Sequence, residues 1–138
     1  ATAFVPQLEN RPSRTQWPDR ALAGTFESIW QVETHRPLRI VAADGWLGGL
    51  IAMRSEPRPS VWTDASYAKS PWITPQAVTR DGALIVWRVK DDPQPPAAFQ
   101  HLPGLEVLGV KSFAWPRTPN APPLRIGFGI IAPDPSRK

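Results

Sequence analysis

Arg36-Pro37-Leu38-Arg39-Ile40-Val41-Ala42-Ala43-Asp44-Gly45-Trp46 is the stretch on which the fold turns. Residues 38–43 form a short, mostly apolar run, the pattern of a strand covered on both faces. Arg36-Pro37 stops whatever helix precedes it, because the residue before a proline is pushed out of the helical region. Asp44-Gly45 closes the strand. Asp44 also suits the N-cap of a helix over residues 46–55. Gly48 and Gly49 each weaken that helix by about 1 kcal/mol relative to Ala, so the pair points to close packing.

Upstream, residues 19–33 read as a helix, with Pro18 and Asp19 as the start signal. Leu22, Phe26, Ile29 and Trp30 fall on one stripe of a 3.6-residue period. Burying those four side chains contributes roughly 6–12 kcal/mol, at about 1.5–3 each. Downstream, residues 60–63 give a second strand, entered through Pro59, followed by a loop holding Ser70-Pro71-Trp72. Thr74 and Pro75 open a short helix over 74–80. Asp81-Gly82 leads into the clearest strand, 83–89. A polar, proline-rich loop, a short helix over 96–102, and strands over 105–115 and 124–131 complete the chain. A bulge is expected at Gly109.

Alternating helices and strands imply a parallel core sheet, and the two successive strands at the end imply an antiparallel ribbon at one edge. The expected fold is therefore α/β: one three-layer domain over 19–133 with a mixed, mostly parallel five-stranded sheet. Residues 1–18 read as an extended lead-in, and 134–138 as a tail.

Composition sets the outer bounds. The chain has 138 residues, 18 of them Pro, 7 Trp and no Cys. One domain of this length buries about two-thirds of its unfolded surface without a metal or disulfide staple. Roughly 13% Pro, against about 5% on average, excludes a bundle of long helices. Zero Cys excludes disulfides, thiolate metal sites and cysteine nucleophiles. The net charge is +4, but the arginines are spread through the sequence, with no run of five like charges. No nucleic-acid partner is therefore expected. A mildly basic surface suits anionic lipid headgroups, where each nearby Lys or Arg contributes about 1 kcal/mol. No apolar stretch is long enough to cross a membrane.

Four residues are candidates for a ligand or partner site. Asp44 and Asp64 each stand just past the carboxyl end of a predicted parallel strand, the edge where open α/β sheets bind ligands. Such a pair binds a metal or a sugar hydroxyl. The same residues also serve as a helix cap and a turn former. Trp46 and Trp72 sit at element ends, as does Trp115, and all three are expected to show an edge at the surface. Trp30 and Trp87 are expected in the core and Trp62 half-buried. The two His lack metal-ligand spacing, and no nucleophile elbow or phosphate-binding glycine motif occurs. No catalytic residue and no cofactor are expected.

Several segments, in order, resemble a known family. They are residues 37–46, Arg58-Pro59-Ser60-Val61-Trp62-Thr63-Asp64, Ser70-Pro71-Trp72-Ile73, residues 81–87, and Trp115-Pro116 followed by residues 123–133. The set resembles the C-terminal soluble domain of bacterial glycosyltransferase family 39 proteins. These are polytopic membrane enzymes similar to protein O-mannosyltransferases. Residues 51–57 depart from the pattern, being less aromatic. The resemblance implies a non-catalytic periplasmic domain of an enzyme using a polyprenyl-phosphate sugar donor, whose catalytic carboxylates lie in the membrane part. It implies contact with that upstream membrane domain, and with lipid headgroups or a glycan acceptor. The missing initial Met and the proline-rich lead-in fit a domain cut away after the last membrane helix. The alternative is a free-standing periplasmic carbohydrate-binding module using Asp44, Trp46 and Trp72.

Overall fold

The computed structural model describes residues 17–118 and 120–134. The expected lead-in lies outside these except for its last two residues, and the tail except for Asp134. The elements run α1 (Asp19–Thr34), β1 (Ile40–Ala43), α2 (Gly45–Arg54), β2 (Ser60–Thr63), α3 (Pro75–Asp81), β3 (Ala83–Arg88), α4 (Ala97–Gln100), β4 (Leu105–Phe113) and β5 (Leu124–Ile131). The five strands form one mixed sheet in the order β2-β1-β3-β5-β4. β1 pairs in parallel with β2 and β3, and β5 runs antiparallel between β3 and β4. This is the expected α/β architecture with its antiparallel ribbon at one edge. The pairing of β4 slips between Val107 and Gly109, where the bulge was expected.

Alternation of side chains along the strands divides the core into two halves. Val41, Leu84, Val86, Ile126 and Phe128 pack against Leu22, Phe26 and Trp30 of α1 and Leu47 and Ile51 of α2. Ile40, Ala42, Ile85 and Trp87 face the other way, onto Ile73, Val78 of α3 and Phe99 of α4. The chain passes from β1 to β2 through α2 on one face. It then returns over β1 to β3 through α3 on the other. Reversing the direction along the sheet requires changing face when both crossovers have the same hand.

Local signals explain the joints. Asp44 caps α2, its Oδ1 accepting from the Leu47 N–H at 2.7 Å. Thr74 caps α3 by accepting from Ala77 N–H, with Pro75 in the first turn. α1 closes on His35, which takes a left-handed conformation at φ 55°. A Cβ on Gly48 would lie 2.7 Å from Val61 Cγ1, so α2 approaches β2 more closely than alanine permits. Gly49 has open space around it and carries no such constraint.

Two expectations about tryptophans need correction. Trp62 is not half-buried but 1% exposed. It points into the α3 face of the core, and the Tyr67 ring covers it at 5.1 Å. Trp115 shows no edge at the surface, being 4% exposed. The Trp17 ring stands edge-on to it at 5.6 Å, and its indole N–H donates to the Pro122 carbonyl at 2.8 Å. Both rings are covered by residues whose position a local reading does not supply.

Candidate functional site

In a sheet with β1, β2 and β3 parallel, the carboxyl ends of all three strands lie at one edge. Asp44 follows β1 and Asp64 follows β2. The two are neighbours there, because the Asp64 N–H donates to the Ala43 carbonyl at 2.8 Å. The two residues of the expected pair thus follow adjacent strands at the same edge, and each carboxylate already has its own partner. Asp44 caps α2. Asp64 sits at φ 52° in the turn after β2 and pairs with Lys69 Nζ at 2.7 Å. Both are surface groups, and the ion pair of Asp64 is exposed. Among the described residues, no group of three or more His, Cys, Asp or Glu is gathered to hold a metal ion.

Trp46 lies beside Asp44 and is 37% exposed. Its ring meets that of Trp17 edge-on at 6.1 Å, and Trp17 meets Trp115 in the same way. The Arg88 guanidinium stacks 5.3 Å above the Trp17 ring, a cation–π contact worth about 0.5–1 kcal/mol at an exposed site. These aromatics close the carboxyl edge by joining the chain before α1, the start of α2 and the segment after β4. Trp17 is the residue that the sequence reading missed. A tryptophan one position before a proline-led helix start was the signal available.

Trp72 lies elsewhere. It is 60% exposed, and its indole N–H donates to the Val61 carbonyl at 3.0 Å, on the outer side of β2. It lines a cleft with Arg39, Arg58 and Ser60, at the starts of β1 and β2. So Asp44, Trp46 and Asp64 share the carboxyl edge, and Trp72 does not join them. A sugar platform made of Trp46 and Trp72 together is not assembled.

The amino edge gathers what the sequence scatters. Arg36 and Arg39 flank the entry to β1, Arg58 precedes β2, and Arg80 precedes β3. All four line two adjoining clefts that share Arg39, Arg80 and Asp81. Their common position just before parallel strands was the signal for the cluster.

No family model matches the chain, and no curated protein or solved structure matches it either. No helix among the described residues is long and apolar enough to cross a membrane.

Proposed function

We propose that this chain is a non-catalytic accessory domain of a polytopic membrane glycosyltransferase of the family 39 type, whose sugar donor is a polyprenyl phosphate. The domain lies on the periplasmic side of the inner membrane. It covers the membrane-embedded active site and positions the acceptor, touching the parent's membrane part and lipid headgroups or the glycan. One observation supports this reading most. Asp44 and Asp64, the carboxylates at the ligand-binding edge of the sheet, are both engaged by the fold, one as a helix cap and one in an ion pair with Lys69. A general acid or base needs a carboxyl within reach of the substrate proton. The segments that carry the resemblance lie on β1 and the start of α2, on β2 and the loop after it, on β3, just after β4, and on β5.

The test uses the parent protein. Asp44→Asn keeps a competent cap while removing the charge. Asp64→Asn removes the ion pair. Glycosyl transfer by the double variant is expected to stay within about twofold of the wild type. A loss of about 10²-fold or more at unchanged protein level, the size of a missing general acid or base, would overturn the reading.

A further inference from the structure

The larger cleft at the amino edge is open to solvent, has a volume of about 670 Å³, and is lined by Arg36, Arg39 and Arg80 together with His35 and Asp81. Among the described residues its one ion pair is Arg80 with Asp81, joined through Nη2–Oδ2 at 2.8 Å and Nε–Oδ1 at 3.1 Å. Arg36 and Arg39, at β1's entry, line the same cleft as this pair. The Asp81 carboxyl is held below its ordinary value first by the hydrogen bond from Arg80, which outweighs the upward push of burial, and then by the weaker pulls of the Arg80, Arg39 and Arg36 charges. Three guanidinium groups against one carboxylate leave the cleft with two net positive charges. The adjoining cleft of about 260 Å³ adds Arg58 and the exposed Trp72.

The cleft walls are held in place by hydrogen bonds to the backbone. The Thr34 hydroxyl donates to the Trp30 carbonyl and accepts from the Arg36 N–H at 3.2 Å, fixing the turn that presents Arg36. The Thr79 carbonyl accepts from the Asp134 N–H at 3.0 Å, tying the end of α3, with Arg80 and Asp81, to the segment after β5. Arginine presents planar donors that match phosphate oxygens two at a time. A phosphate monoester carries a charge of about −1.5 to −2 near neutrality, which balances the cleft.

We infer that this cleft binds a phosphate monoester, held by Arg36 and Arg39 and flanked by Arg80, with Arg58 and Trp72 beside the esterified group. The inference rests on the geometry of the amino edge and is independent of the accessory-domain reading. The same chemistry has two sources, a soluble phosphate monoester or phosphatidic acid, the phospholipid whose headgroup is a phosphate monoester. The adjoining Trp72 offers a ring face to a soluble sugar phosphate, and the open rim admits a headgroup.

The test titrates the chain with inorganic phosphate and a hexose phosphate, followed by calorimetry. Separately, it measures co-sedimentation with phosphatidylcholine vesicles with and without phosphatidic acid. Saturable binding is expected in at least one arm. Arg36→Gln and Arg39→Gln should each weaken it about tenfold or more, as loss of a charge-assisted hydrogen bond does. Asp81→Asn should tighten it, a gain that a misfolded variant cannot mimic. Lys90→Gln, after β3 at the opposite edge, should leave it unchanged. Binding in solution assigns a soluble phosphoester, and binding only to vesicles containing phosphatidic acid assigns a headgroup. Absence of binding in both arms, or affinity indifferent to Arg36, Arg39 and Asp81, overturns the inference.

Discussion

At the carboxyl end of β1, Asp44 joins a buried strand to the helix behind it through one hydrogen bond to Leu47 N–H. Asp44→Ala is expected to lower unfolding free energy by about 1 kcal/mol, and Asp44→Asn by only a few tenths, as read by urea denaturation. A loss with Asn as large as with Ala would mean that the charge, not the cap, matters. Gly127 is a second residue with no freedom. On β5 it pairs with Trp87 of β3, whose indole N–H is anchored to the Pro93 carbonyl at 3.2 Å, and a Cβ at position 127 would run into that ring. Gly127→Ala should cost about 1–3 kcal/mol by overpacking, with a matching fall in thermal midpoint. Asp81 predicts a pH effect. Its folded value lies below the ordinary 3.8, so its stabilising contribution is complete above that value and is lost as pH falls through the lower folded one. The stability difference between the wild type and Asp81→Asn should therefore be present near about pH 7 and shrink in strong acid. A difference that persists unchanged at low pH would contradict this.

β2 shows what an edge strand requires. Its Ser60 N–H and the following Asp64 N–H turn inward to β1. Two of the groups facing outward find side chains instead: Thr63 N–H donates to Ser70 Oγ at 2.8 Å, and the Val61 carbonyl accepts from Trp72. The loop over 64–73 thus covers an edge that would otherwise be open to another strand. Ser70 is fully buried in doing so. Ser70→Ala should cost about 1–3 kcal/mol, the penalty of an orphaned N–H, and a change of only a few tenths would show that water replaces the hydroxyl. Elements of this kind were legible where one local signal sufficed. The stripe of Leu22, Phe26 and Trp30, the Thr74-Pro75 start and the unbroken apolar run of β3 each gave their element within a residue or two. The roles of Ser70 and Trp72 were not legible, because they depend on which strand lies at the edge. The burial of Trp62 and Trp115 depends in the same way on Tyr67 and Trp17, which arrive from other segments.

Over the whole molecule, topology decides what is brought together. Parallel β1, β2 and β3 send Asp44 and Asp64 to one edge, and the residues before those strands to the other. The sequence order foresaw the first grouping and left the arginines looking scattered, since charge runs are linear and an edge is not. The result is a domain with two distinct ends: an aromatic, structurally committed carboxyl edge and a cationic amino edge. The amino edge is where we propose that a phosphate group binds. The most direct test of the accessory-domain reading is the reading frame upstream of Ala1, together with fractionation of its product. The account predicts a series of membrane-spanning helices encoded before this domain. It also predicts a protein in the inner membrane whose residues 17–134 are cleaved by protease added to spheroplasts. A gene that starts near Ala1 and encodes no membrane segment, with a product absent from the membrane fraction, would contradict it.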